Sequence, residues 1–462
     1  MSLFRTKPIT ADLERETGLH RCLSALDLTL LGIGAIIGAG IFVLTGIAAA
    51  TQAGPAIVLS FVVAGFACAF TALSYAELAA MIGGCGSAYG YTYASMGELI
   101  AWIIGWDLIL EYGVATAAVA IGWSGYMNNA LTAMGLPLPD YLLKAPAAGG
   151  VINLPAALIV LALSVLLAIG VRQSAQFNAA MVVTKLGAIT LFIFVALFNV
   201  QPANWQPFMP FGWEGVMKGA ALIFFAYIGF DAVSTAAEEA RRPSRDLPMG
   251  ILASLAVCTV IYILVAALLT GIVPYTTLNV PSPVAEALLH IGYRWAAGFI
   301  AAGAIAGLTT VMLVLYYGLT RLFLAMARDG LLPPLFSAIH PRTHTPVRII
   351  LLCGVAIAAI AGLTPISDVA ELVNIGTLAA FVLVCGVVIF LRSTRPEVAR
   401  PFKTPFSPTV PLLGIVFCAY LMLSLPAITW WRFVIWLGIG LVIYFTYSRR
   451  HSSLHGDARV IK

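Results

Sequence analysis

Four glycines, at positions 32, 34, 38 and 40, stand inside the apolar run Leu31-Gly-Ile-Gly-Ala-Ile-Ile-Gly-Ala-Gly-Ile-Phe42. A helix in lipid must satisfy its own backbone polar groups, so glycines clustered at mid-depth weaken it where weakness is costly. Such a break is tolerated where it borders protein or a watery cavity. There its freed N–H groups can hold an anion such as a carboxylate. The expected donors are the N–H groups of Ile37, Gly38, Ala39 and Gly40, at the start of a second half-helix. Carbonyls near Ile33 and Gly34 would accept from an ammonium. A second interruption, Phe224-Phe-Ala-Tyr-Ile-Gly-Phe-Asp231, offers further carbonyls around Phe224, Phe225 and Ile228. Asp231 ends it, either as a gate or as a cap on the following half-helix. Gly229 also has a plainer reading, close helix packing.

Ionisable residues inside apolar runs are the next candidates. Lys185 lies about eight residues into its run, roughly 12 Å deep in a hydrocarbon core about 30 Å thick. An ammonium is costly to keep charged there, so Lys185 could load and release a proton, or it could belong to a permanent structural ion pair. Asp107 and Glu111 are four apart and share a helix face, where two unpaired carboxylates would repel. Glu111 reads as the deeper and pairs functionally with Lys185 or with a bound ligand; the alternative is a structural polar network. Thr309 and Thr310 could offer oxygens to a hard cation, or bond backward to helical carbonyls. Glu238, Glu239, Arg241, Arg242 and Asp246 read as solvated pairs. The six histidines form no metal cluster, and the seven cysteines have no metal-ligand spacing. No metal site, cofactor or catalytic constellation is expected.

The elements that must position these residues are membrane spans. Of 462 residues 61% are hydrophobic and 10% charged, with mean hydropathy +0.98, too little polar surface for a soluble domain of this size. Apolar runs predict twelve helices near 28–51, 54–82, 98–131, 154–170, 177–199, 216–237, 248–272, 293–327, 347–363, 369–391, 410–426 and 430–447. Alternate ends of these runs carry 20 of the 25 lysines and arginines. The opposite ends carry Lys144, Lys218, Arg294 and Arg432, and Lys185 falls inside a run. That asymmetry sets both termini in the cytoplasm and excludes a nucleic-acid footprint as the meaning of the net charge of +5. The N-terminal stretch lacks an apolar core with a cleavage site, so it reads as a retained tail. Spans 1–5 repeated as 6–10 would invert the second copy, with the interrupted spans 1 and 6 at matching positions.

Three motifs carry a resemblance: Leu31 to Gly46 (LGIGAIIGAGIFVLTG), Tyr227 to Pro248 (YIGFDAVSTAAEEARRPSRDLP) and Leu324 to Leu332 (LAMARDGLL). In this order they resemble amino acid–polyamine–organocation transporters, in particular the cationic amino acid transporter branch and its bacterial relatives, over about residues 20 to 447. The turn Gly83-Gly84-Cys85-Gly86-Ser87 departs from the pattern by lacking a proline. The resemblance implies an all-α polytopic protein with a 5+5 inverted repeat and two added C-terminal helices. The segments would be 1–27 as a cytoplasmic tail, 28–199 and 200–391 as the two repeats, 392–447 as helices 11 and 12 with the preceding loop, and 448–462 as a second tail.

It also implies secondary active transport of an L-amino acid through the lipid bilayer, with the two breaks holding the zwitterion. The side-chain pocket or gate would draw on Phe225, Tyr227, Ile228, Asp231, Met312, Leu315 and Tyr316. Lys185 matches a span 5 lysine that stands in proton-coupled relatives where sodium-coupled relatives hold their ion, so the coupling ion is expected to be a proton. Glu77 matches an acidic position to which no role is assigned. The mainly apolar pocket favours a small or medium neutral amino acid such as alanine; Glu111 and Asp231 keep a cationic one open. Exchange of one amino acid or amine for another is the alternative, and a membrane sensor is disfavoured by the short tails. Absence of any Asn-X-Ser/Thr sequon and minimal loops fit a bacterial inner membrane.

Overall fold

The computed structural model describes residues 5–6, 23–82, 87–169, 175–231, 233–234, 240–340 and 345–456. The turn at 83–86, Arg172, Glu238, Glu239 and the tail residues 1–4, 7–22 and 457–462 lie outside the described residues.

Among those described, fourteen helices of eight residues or more carry the fold, and no strand is present beyond two isolated bridges. In chain order they are α1 (Ala25–Ile36), α2 (Ile57–Ile82), α3 (Ser87–Ser95), α4 (Glu98–Ala133), α5 (Leu154–Ile169), α6 (Ala175–Leu197) and α7 (Gly212–Ile223). The second half comprises α8 (Pro243–Ile272), α9 (Pro283–His290), α10 (Arg294–Arg328), α11 (Val347–Leu363), α12 (Ile366–Thr394), α13 (Thr409–Leu423) and α14 (Ala427–Ile443). Seven helical segments are long and apolar enough to cross a membrane by length and composition, and four shorter apolar helices accompany them.

Local chemistry sets several boundaries. Ser24 and Asp27 form a reciprocal capping box at the start of α1, each side chain satisfying an otherwise orphaned N–H. Proline stands at the first position of α8 and α9, where its missing N–H costs nothing. The short helices α3 and α9 were not expected. For α9 a signal exists in Ser282-Pro283, with Glu286 accepting the Ser282 hydroxyl at 3.0 Å. The Tyr-rich α3 carries no such mark.

Two long helices make the middle of the bundle. The 36-residue α4, roughly 54 Å long at 1.5 Å per residue, packs lengthwise on α10. Its apolar window is 94% buried, whereas that of Ala427–His451 is 22% buried, so α4 is interior and α14 peripheral. Around them α2 packs on α8, α5 on α11, and α1 against α8 and α6.

Buried charge ties the helix ends together. At the end of α2, Glu77 accepts Arg392 Nε at 3.0 Å and Nη2 at 2.6 Å, and the Thr404 N–H at 2.7 Å, while Arg400 Nε stands 3.5 Å away. Removing one partner of a buried pair leaves the other charge uncompensated. Glu77→Gln is therefore expected to destabilise the protein by about 3 kcal/mol, the low end for such a deletion because Arg392 keeps some solvent access. A lowered melting temperature in detergent would register it. Asp246 departs from the solvated role expected of it: it is buried, and its carboxylate accepts the Arg242 N–H at 3.1 Å at the start of α8.

Candidate functional site

The first helix breaks where its glycines cluster. α1 ends at Ile36, with the Ile37 N–H still bonded to the Ile33 carbonyl at 3.0 Å. Residues 37 and 38 are non-helical, and helical turns resume through Gly40–Leu44, the Phe42 N–H reaching the Gly38 carbonyl at 3.4 Å. The N–H groups of Gly38, Ala39 and Gly40 thus open a new half-helix, with no helical acceptor behind them. N–H groups left in this way at a half-helix start are able to hold an anion.

The second break lies alongside the first. α7 ends at Ile223, a 3-10 turn covers Phe224–Tyr227, and Ile228 is extended. Gly229 follows at φ 119°, a conformation that favours glycine, and a Cβ there would come within 2.9 Å of the Ala35 carbonyl group. Close packing and backbone release thus occur together at this residue. At Gly40 an added Cβ would collide with the backbone of Ala226, so the two breaks touch. Gly38 differs: the nearest atoms to an added Cβ belong to Val311 of α10, at an ordinary 3.5 Å.

Three polar side chains hold the loosened backbone. Lys185 of α6 is buried, and its Nζ donates to the Gly34 carbonyl at 2.6 Å and the Ile37 carbonyl at 3.0 Å. Its aliphatic stem would lie 3.4 Å from a Cβ on Gly307 of α10, so it stands between the first break and α10. The Tyr262 hydroxyl lies 2.9 Å from the Ile36 carbonyl and 2.8 Å from that of Ala226, within bonding reach of both breaks. Asn374 Nδ2 donates to the carbonyls of Ala221 and Leu222 at 2.7 and 2.9 Å, capping the end of α7. A cation or donor at the carbonyl end of a half-helix offsets the negative end of its dipole.

This alters the expected division of labour. The Gly34 carbonyl, expected to meet an ammonium from the ligand, is taken by Lys185, and the Ile33 carbonyl by a backbone N–H. In the second break the Phe225 carbonyl is likewise taken, by the Ile228 N–H at 3.3 Å, and both residues are buried. Phe224 packs edge-on against Phe381 at 5.6 Å between ring centroids. The Tyr227 hydroxyl bonds the Phe61 carbonyl at 2.8 Å, and Tyr316 bonds Ser164 at 3.0 Å and the Ile350 carbonyl, so both hydroxyls serve the neighbouring helices α2, α5 and α11. Met312 and Leu315 are buried on α10, where Val311 is the side chain at the first break.

Glu111 is buried with Asp231 and Asp107 in electrostatic reach, and the neighbouring Thr377 hydroxyl donates to the Val373 carbonyl at 3.1 Å. Asp231 faces it from the end of the second break, 3.5 Å from the Tyr112 hydroxyl. Lys185 makes its hydrogen bonds to the first break and not to Glu111, and neither is in the other's electrostatic reach. Thr309 and Thr310 bond back to the carbonyls of Ile305 at 2.7 Å and Gly307 at 2.8 Å, and Thr309 also receives the Trp123 indole N–H at 3.0 Å. Among the described residues no cluster of His, Cys, Asp and Glu could hold a metal.

A family model described as amino acid permease matches residues 23–447. The chain belongs to the amino acid permease family. This permease is an integral, multi-pass membrane protein. It is 52% identical over 98% of its length to the branched-chain amino acid permease BcaP of Bacillus subtilis (strain 168), and 50% identical over 98% to the methylthioribose transporter of the same organism. Both alignments cover 99% of the relative. Cationic amino acid transporter 4 of Homo sapiens is 40% identical over 90% of the permease and 68% of that relative. The family match runs through both breaks, while the three relatives' names specify different cargoes. Membership therefore fixes the class of protein and leaves the side-chain pocket to decide what is carried.

Proposed function

We propose that this permease takes up a small or medium neutral L-amino acid by alternating access, driven by protons. The observation that carries the reading is the Lys185 ammonium on the Gly34 and Ile37 carbonyls, at the negative end of the first half-helix. While charged, Lys185 pins that end of the break; on losing its proton it keeps less hold on the same carbonyls. Its protonation and the geometry of the adjoining N–H donors are thereby linked. The zwitterion's carboxylate would sit on the N–H groups of Gly38 to Gly40, and its ammonium on the second break at the Ile228 carbonyl.

Phe225 and Ile228 give the pocket an apolar character, which favours alanine or larger apolar side chains; the cargo in the name of BcaP extends this to branched ones. Glu111 and Asp231 lie beside the second break and would serve a cationic side chain if one were carried. The inverted repeat, 28–199 against 200–391, is supported by the packing. α1 lies on α8 as α7 lies on α2, and α6 lies on α10 as α12 lies on α4. Such reciprocal contacts are what two copies related by a pseudo-two-fold axis produce. The charge asymmetry supports cytoplasmic termini, and the Bacillus relatives support a bacterial cell membrane.

The purified permease in empty liposomes, given a panel of labelled amino acids including alanine, leucine and arginine, tests the whole reading. An imposed inward proton gradient is expected to drive accumulation of the neutral substrates. Strict dependence on preloaded amino acid, with no response to the gradient, would establish exchange instead. Glu111→Gln is expected to flatten the pH dependence of uptake, and a wild-type pH profile in that variant would remove Glu111 from coupling.

A further inference from the structure

A cleft of about 410 Å³ lies between α4, α12, α13 and α14, away from the two breaks. Its walls include Ile103, Val382, Met422, Trp430 and Phe433, and Asp107 is the one ionisable residue among those lining it. Leu423 at its edge is 72% exposed, so the cleft meets the outer surface of the bundle, which in an embedded permease faces lipid. Asp107 is only 2% exposed. Its Oδ1 is buried with no hydrogen-bond partner among the described residues. An added Cβ on Gly376 of α12 would come within 2.5 Å of that oxygen, so the glycine gives the carboxyl its room.

A carboxylate set in an apolar wall at membrane depth is expensive unless something compensates it. Glu111, one turn along α4, is a second carboxyl and brings no positive charge. A compensating group arriving through the cleft must cross lipid, so most of it must be apolar, and it must bring positive charge to Asp107. The volume falls within the range of small-molecule sites, and the aromatic faces of Trp430 and Phe433 tolerate a cation nearby. We propose that this cleft binds a lipophilic amine, its ammonium paired with Asp107 and its hydrocarbon body seated between α12, α13 and α14.

The test is equilibrium binding of tritiated 1-adamantylamine to the full-length permease in phosphatidylcholine nanodiscs, with 1-adamantanol as the neutral competitor of matched shape. Saturable binding is expected, with the alcohol competing at least about ten-fold more weakly, the loss typical when one charged contact is removed. Asp107→Asn should weaken amine binding by a similar factor. Ala419→Phe, which fills the cleft without touching the carboxyl, should abolish it and carries the test if the asparagine variant does not fold. Equal binding of amine and alcohol, unchanged affinity in either variant, or purely linear partitioning would overturn the proposal, leaving Asp107 neutralised by its own proton and the cleft filled by lipid chains.

Discussion

Replacing Lys185 with alanine should uncouple accumulation from the proton gradient while leaving substrate binding largely in place. The side chain makes two charge-assisted hydrogen bonds to the first break, at 2.6 and 3.0 Å, and is buried with no carboxylate bonded to it among the described residues. Each such bond contributes roughly 1.5–3 kcal/mol, so together they bias a conformational equilibrium by about 100-fold or more. Gradient-driven accumulation is expected to fall by about that factor. Lys185→Met separates charge from volume, because its thioether can cover Gly307 much as the lysine stem does. The methionine variant should be as uncoupled as the alanine variant but fold better. Measured in liposomes with and without an imposed gradient, unchanged driven uptake in both variants would take Lys185 out of the coupling step.

What was legible in the sequence was backbone, and what was not was partnership. The glycines at 32, 34, 38 and 40 announce a break because their effect is local, and the helix does stop at Ile36. The motif Phe224 to Asp231 does the same for the second break. Lys185 stands out because an ammonium in an apolar run is conspicuous wherever it points. Its acceptors are another matter: nothing in the spacing says that a lysine on α6 meets Gly34, 151 positions away. Consequently the Gly34 carbonyl was assigned to the ligand. Tyr262 and Asn374 were missed for the same reason. A tyrosine in a membrane helix has no mark that separates one bonding both breaks from one serving the scaffold, as Tyr227 and Tyr316 do. Asn374 could have been flagged, since a buried amide in an apolar run needs partners. Val311 could not, because one valine on α10 looks like any other.

The sharpest steric prediction contrasts two glycines two residues apart. Gly40→Ala places a methyl group on the backbone of Ala226, where neither partner is the far end of a flexible side chain, so one break must move away from the other. Overpacking of this kind costs typically about 1–3 kcal/mol. In the proposed mode of binding, the cost falls on the contact that would bring the Gly38–Gly40 donors and the second break to one zwitterion. Binding of a compact ligand depends on that distance at the ångström level, and misplacements of about 1 Å are known to cost around 100-fold. Gly40→Ala should therefore lower uptake by about that factor, while Gly38→Ala, whose methyl meets only Val311 at 3.5 Å, should keep most of it. In the proposed mode of binding each residue would offer one backbone donor to the carboxylate, so a requirement for bare backbone at the ligand would cripple the two variants alike. A requirement for contact between the breaks cripples Gly40→Ala alone. Initial uptake rates of the two proteins, reconstituted at matched density, distinguish these outcomes, and a Gly40→Ala variant as active as Gly38→Ala would mean that the breaks do not need to touch for transport.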